Sequence, residues 1–327
     1  MSHLTYLEAA VTGLIQGITE MFPISSLGHN VLVPALVGGG WASSLNVAGS
    51  KTPYLAFIVG LHVATALALM AYFWRDWVRI IGGFVTSLRD RAIETPDQKL
   101  AWMIILATIP VGIAGLLFEH EFRILFGTAI YAGVFLILNG VTLLAGEMYY
   151  RRAGAARTVA VAAGPILVAE GGTAGGGAVP VIVEAAGPEA AAGLAADRRL
   201  AGQTTGQAVL IGSAQILALL AGISRDGVVM VAGMFRGLTR EDAARFSFLL
   251  SAPVILAAGV LKLPELLGPA GRGIGGPILL GSALSGVGAY LSIRFLVNYL
   301  RTRTLTPFAI YCLLAGLASV IYLGVIR

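Results

Sequence analysis

Between positions 13 and 29 the chain reads Gly13-Leu14-Ile15-Gln16-Gly17-Ile18-Thr19-Glu20-Met21-Phe22-Pro23-Ile24-Ser25-Ser26-Leu27-Gly28-His29. An amide, a carboxylate, two hydroxyls and an imidazole stand there in apolar surroundings, where each is costly without a partner or a task. Ser25, Ser26 and His29 could supply a nucleophile and a proton-transfer group. Glu20 could act as a base or as a ligand for a hard cation such as Mg2+ or Ca2+. Each residue also has an architectural reading. Serines cap helices after a proline, a lone histidine often only hydrogen-bonds, and Gln16 could bond a backbone carbonyl.

A second polar interruption reads Ala221-Gly222-Ile223-Ser224-Arg225-Asp226-Gly227. The planar fork of Arg225 suits two phosphate oxygens at once and keeps its charge in any environment. Gly222 and Gly227 would let backbone approach an anion, and Ser224 adds a hydroxyl. Arg225 could equally pair with Asp226 or Glu20 and hold two segments together; charge alone does not choose.

These groups need elements to position them. On a helix, Gln16 and Glu20 lie four residues apart on one face. Pro23 stops that helix, Ile24 to Gly28 is expected to be irregular, and a short apolar run follows from Asn30 to Val37. Neither half reaches the roughly 20 apolar residues of a membrane span. A re-entrant helical hairpin over 4–37 fits better, and such broken elements hold binding sites when they line a wet cavity.

The composition agrees: 57% hydrophobic, 12% charged and a mean hydropathy of +0.84 place the chain among integral membrane proteins. The fold class expected is an all-α polytopic membrane protein. About six transmembrane helices are expected, at Tyr54–Trp74, Leu100–Phe118, Thr128–Met148, Phe246–Leu263, Gly275–Val297 and Leu305–Ile326, with a second re-entrant hairpin over 205–235. No processed leader is expected, because the N-terminal run lacks a basic start. The single Cys312 excludes disulfides within the chain and thiolate metal clusters. The net charge of +5 is spread over loops, which reads as topology and contact with anionic lipid rather than nucleic-acid binding. Arg75, Arg79, Arg89, Arg91 and Lys99 put the loop after the first span inside, and the other arginine-rich loops follow it.

In register, Gly13, Gln16, Ile24, Ser25 and Gly28 fall on Gly212, Gln215, Ile223, Ser224 and Gly227 at one constant offset. With opposite insertion, this suggests an inverted-topology repeat within a single membrane domain spanning 1–327. Residues 1–149 form the first repeat and 203–327 the second, and the two hairpins meet near the midplane. Between them, 154–202 is a Gly/Ala-rich cytoplasmic insert. Val159–Val161, Pro165–Val168 and Val179–Val183 there could pair as a small β element, or the whole could be a linker. His62 reads as a helix-packing residue. Thr239 reads as the cap of the next helix, with Asp242 at its third position.

At these motifs the chain resembles the undecaprenyl pyrophosphate phosphatase family of bacterial membrane enzymes, the bacitracin-resistance type. The matching pieces are Gln16-Gly-Ile-Thr-Glu20, Pro23-Ile-Ser-Ser-Leu-Gly-His29, Gly222-Ile-Ser-Arg225, Arg236-Gly-Leu, Phe246-Ser-Phe-Leu-Leu-Ser-Ala-Pro253 and Thr306-Pro-Phe-Ala-Ile-Tyr311. They occur in family order over nearly the whole chain outside the insert. Four positions depart from the pattern: Gln16 stands where many members carry a second glutamate, Ala221 where proline is usual, Asp226 where serine is usual and Val229 where threonine is usual.

The resemblance implies hydrolysis, assisted by a divalent cation, of a C55 isoprenyl diphosphate to the monophosphate and inorganic phosphate. It places the enzyme in the bacterial inner membrane with its site toward the periplasmic side. Carried over by position, Ser26 is the nucleophile, His29 assists proton transfer, Glu20 and Gln16 form the acidic or amide motif, and Arg225 clamps phosphate. Ser25, Ser224, Gly222 and Gly227 join the phosphate site, and Asp226 could supply the carboxylate missing at Gln16. The partners expected are a polyprenyl diphosphate lipid and the bilayer, no nucleic acid, and a homodimer as an allowed assembly. The alternative on the same fold is a transporter flipping a prenyl phosphate.

Overall fold

A computed structural model describes residues 4–45, 53–126, 128–163, 188–267 and 273–326. These form thirteen α-helices: α1 (Tyr6–Met21), α2 (Ser26–Val37), α3 (Gly39–Ser44), α4 (Pro53–Tyr72), α5 (Trp74–Asp90), α6 (Pro96–Phe126), α7 (Ala129–Ala163), α8 (Pro188–Ala201), α9 (Thr205–Ser213), α10 (Arg225–Phe235), α11 (Arg240–Leu267), α12 (Gly275–Thr302) and α13 (Thr306–Ile321). No strand occurs among the described residues. By length and composition, stretches of α6, α7, α11, α12 and α13 can each cross a membrane. A sixth is counted when α4 and α5, which meet at a bend of 85°, are taken together as one broken span.

Both interrupted stretches are helices broken by a short non-helical turn. Thr5 caps α1 and Glu8 reaches back in a capping box, and Thr204 with Gln207 repeats that box at α9. These pairs obey the same offset that aligns Gly13 with Gly212. The helices α2 and α10 are capped alike, Ser25 accepting from Gly28 N and Ser224 from Gly227 N. The same offset also governs packing. A Cβ on Gly13 would lie 2.3 Å from Gly281 O on α12, and one on Gly212 would lie 2.2 Å from Ala107 O on α6. Each glycine thus permits backbone contact between the first helix of one half and a long helix of the other.

Three expectations change. The irregular stretch expected from Ile24 to Gly28 ends at Ser25, because the Ser25 cap starts α2 at Ser26. The loop expected after the first span is the helix α5. In the insert, Val159–Val161 lies within α7 rather than in a strand, and 188–201 is the helix α8; Pro165–Val168 and Val179–Val183 lie outside the described residues. Thr239 does cap α11, accepting from Asp242 N at 3.0 Å.

Ion pairs gather where α5, α6, α8 and α11 meet. Asp197, only 1% exposed, accepts from Arg245 at 2.7 and 3.0 Å and from Arg79. Arg79 also reaches Asp97 at 2.7 Å, and Arg199 grips Asp242 with two bonds of 2.7 and 2.8 Å.

Candidate active site

The two breaks come together in the interior, and Asn139 of α7 joins them. Its Nδ2 donates to Pro23 O at 2.9 Å, and its Oδ1 accepts Ser224 N at 2.9 Å. Ser25 forms the second tie. Its hydroxyl accepts both Gly28 N and Gly222 N, each at 3.2 Å, with its own backbone held at φ 68°. Gly222 sits at φ 115°, and a Cβ there would lie 2.4 Å from Ala132 O. Only glycine fits.

Above these ties lies a cavity of about 180 Å³ lined by Glu20, Ser25, Ser26, Leu27, His62, Val111, Gln215, Ala218, Leu219, Ile223, Ser224, Arg225 and Val254. Glu20 is its centre. Its Oε1 accepts Arg225 Nη2 at 2.7 Å. Its Oε2 accepts Gln16 Nε2 at 2.9 Å and the Ser26 hydroxyl, and His62 Nε2 lies 3.5 Å from it. The His62 Nδ1 lies 2.9 Å from Ile58 O. A carbonyl satisfies only an N–H, so that contact fixes the proton on Nδ1 and turns Nε2 toward Glu20. Arg225 keeps a buried Nε without a hydrogen-bond partner; the nearest acid, Asp226 Oδ1, is 3.8 Å away. The arrangement offers a hydroxyl against a carboxylate and a guanidinium with a donor to spare, a set suited to phosphoryl transfer.

Glu20, Ser26 and Arg225 therefore stand together, and Arg225 both pairs with Glu20 and lines the cavity. His29 is elsewhere. Its Nδ1 lies 2.7 Å from Ser25 O, and its Nε2 lies 2.7 Å from the Tyr311 hydroxyl, on which the ring stacks. Both nitrogens are thereby engaged outside the cavity. Gly222 and Gly227 spend their N–H groups on the hydroxyl oxygens of Ser25 and Ser224, while both serines remain on the cavity wall. Gln16 is held between Glu20 and Asn30, whose Nδ2 donates to Gln16 Oε1 at 2.6 Å. The residue sequence reasoning undervalued is His62. The signal was available, since an ionisable side chain inside an apolar helix is a functional candidate by default.

The donor set expected for a cation, Glu20, Gln16 and Asp226, does not fit a resident metal. Asp226 is not on the cavity wall; its Oδ1 accepts from Ser247 at 2.8 Å and Ser251 at 2.6 Å, and its Oδ2 is buried without a hydrogen-bond partner. Glu20 is the single acid on the cavity wall, and both its oxygens already take N–H or O–H donors. Hard cations need several oxygen ligands. Among the described residues no group of three or more His, Cys, Asp or Glu could hold a metal ion.

Comparison with known proteins agrees with this geometry. The chain is 57% identical over 323 residues to the undecaprenyl-diphosphatase of Mycolicibacterium paratuberculosis, covering 99% of both chains. It is 53% identical to undecaprenyl-diphosphatase 2 of Frankia alni, covering 97% of both. With undecaprenyl-diphosphatase 2 of Burkholderia orbicola it shares 39% identity over 93% of this chain and 91% of the relative. The family described as bacitracin resistance protein BacA matches residues 9–318. With five or six apolar spans and this match, the chain is a multi-pass membrane protein of the BacA family.

Proposed function

We propose that this protein hydrolyses undecaprenyl diphosphate to the monophosphate and inorganic phosphate, recycling the lipid carrier for cell-wall synthesis. The observation that carries the reading is the shared carboxylate: Glu20 accepts the Ser26 hydroxyl on one oxygen and the Arg225 guanidinium on the other. Ser26 Oγ attacks the terminal phosphorus while Glu20 takes its proton. The bridging P–O bond breaks and undecaprenyl monophosphate leaves with the proton from Glu20, which restores the carboxylate. Water, deprotonated by Glu20, then attacks the seryl phosphate; the Oγ–P bond breaks, inorganic phosphate leaves, and Glu20 returns the proton to Ser26 Oγ. The Arg225 guanidinium donates to the oxygens on which charge develops.

The cavity holds about 180 Å³, room for a phosphate group and a few waters at about 30 Å³ each. The prenyl chain therefore lies outside it, along the helices and in the bilayer. Because the residues do not fit a resident metal, we take the divalent cation, Mg2+ or Ca2+, to arrive on the diphosphate, and no step here runs through it. The matched caps and matched glycine contacts support an inverted repeat whose two hairpins enter from opposite sides of the inner membrane, with the cavity open toward the periplasm. Nothing in the geometry favours the transporter alternative.

The test is phosphate release from a C55 diphosphate lipid by the reconstituted protein, with Mg2+, Ca2+ or chelator, for wild type, Ser26→Ala and Arg225→Ala. Release that is lost in both variants and on chelation is expected. Lipid binding without release by the wild type would overturn the reading.

A further inference from the structure

The helix α5 carries two faces. Trp77, Ile80, Gly83 and Ser87 are buried against the body of the protein. That face is fixed by the Arg79 ion pair with Asp97 at 2.7 Å and by Trp102 Nε1, which donates to Ser87 Oγ at 3.0 Å. On the other side Trp74, Val78, Ile81, Val85 and Leu88 are exposed, each between 51% and 65%. Their spacing of four, three, four and three residues makes one continuous apolar stripe. Exposed arginines border it: Arg75 at the start, Arg89 near the end and Arg91 just beyond.

This helix cannot span. Five charged residues, Arg75, Asp76, Arg79, Arg89 and Asp90, lie within its 17 residues, and α4 turns by 85° to enter it. An α4 that crosses the bilayer therefore sends α5 along the surface. A helix with an exposed apolar stripe and flanking arginines suits the boundary between headgroups and acyl chains.

We propose that α5 lies in the plane of the arginine-rich membrane face, its stripe sunk among acyl chains and its flanking arginines at anionic headgroups. The occupant of this apolar face is lipid, and the assignment does not depend on the reaction. It also sets a depth for the site. His62 precedes Tyr72, the last residue of α4, by ten positions, a rise of about 15 Å. In a hydrocarbon core of about 30 Å, the cavity then falls near the midplane.

The test uses the full chain in nanodiscs of phosphatidylcholine and phosphatidylglycerol, spin-labelled singly at Val78→Cys, Val85→Cys or Arg91→Cys; the native Cys312 is buried. Retained phosphate release confirms that each labelled protein is folded. Collision with oxygen severalfold above collision with a water-soluble nickel chelate is expected at 78 and 85, and the reverse at 91. Nickel access at 78 and 85 equal to that at 91 would place the stripe in water and overturn the proposal. Low access to both reagents, with dipolar coupling between labels on two copies, would give the stripe to a second protomer and overturn it as well.

Discussion

Ser25 and Ser26 are adjacent and chemically identical, yet their hydroxyls make different bonds and the proposed reaction gives them opposite tasks, which replacing each by alanine separates. Ser25 is 4% exposed, and its oxygen accepts the amides of Gly28 and Gly222. In Ser25→Ala both N–H groups stay buried without a partner. At about 1–3 kcal/mol for each orphaned donor, the loss is about 2–6 kcal/mol, and it falls on the tie between the two breaks. Ser26→Ala removes one donor from Glu20, which keeps Gln16 and Arg225. That costs about 1 kcal/mol, part of which alanine regains inside a helix. Activity should respond in the opposite order. Ser26→Ala should lose phosphate release by at least a thousandfold, a loss of the order seen when a nucleophile is removed, with the thermal midpoint near wild type. Ser25→Ala should unfold well below wild type in detergent, yet retain measurable turnover at temperatures where it is folded. Matched thermal unfolding and phosphate release on the three proteins decide this. A Ser25→Ala protein as stable as wild type, or a Ser26→Ala protein that still turns over, would refute the division of labour.

His62 Nε2 stands 3.5 Å from the Ser26-facing oxygen of Glu20, so His62→Ala should lower kcat by about a hundredfold with little change in KM. His62→Gln, which keeps a polar group near the same place, should recover most of it, as steady-state kinetics on the pair will show. Asp197→Ala leaves the guanidinium groups of Arg79 and Arg245 facing one another without their shared acid. It should lower stability by about 3–5 kcal/mol, read as a fall in the thermal midpoint, while kcat per folded molecule stays near wild type. Gly222→Ala combines a positive φ with a Cβ 2.4 Å from Ala132 O. It should cost about 3 kcal/mol or more, visible as poor recovery of monodisperse protein on size exclusion.

How much of this was legible in the sequence depends on what each residue must touch. Spans were legible because bilayer thickness demands long apolar runs, and α6, α7, α11, α12 and α13 each supply one. The pairing of Glu20 with Ser26 was within reach, since Pro23 bends the chain back over only six residues. The Glu20–Arg225 pair bridges residues 205 positions apart; the costliness of buried charge suggested it, without excluding Asp226 as the partner. The task of His29 was not legible, because its imidazole is consumed by Tyr311, 282 positions away. The helix α5 was hidden by reading its arginines as a loop. A period of three to four in the intervening apolar residues, Trp74 to Leu88, marks a surface helix as clearly as charge marks a cytoplasmic segment.

The shared offset between the two halves leads to a further step. The caps Ser25 and Ser224 correspond, so the residues that follow them, Ser26 and Arg225, are the first residues of α2 and α10 and correspond as well. Both face the same cavity, and both reach the same carboxylate, one at each oxygen. The repeated backbone thus presents two equivalent positions on either side of Glu20, and the side chains there have parted into a hydroxyl and a cation. Glu20 has no acidic counterpart in the second half, where the offset lands on Leu219. A symmetric pair of carboxylates would repel in this apolar interior, whereas one carboxylate between a hydroxyl and a guanidinium is balanced. The asymmetry of the chemistry, set in a nearly symmetric frame, puts a hydroxyl and a cation on one carboxylate, as the proposed reaction requires if one hairpin is to deliver the nucleophile while the other holds the phosphate.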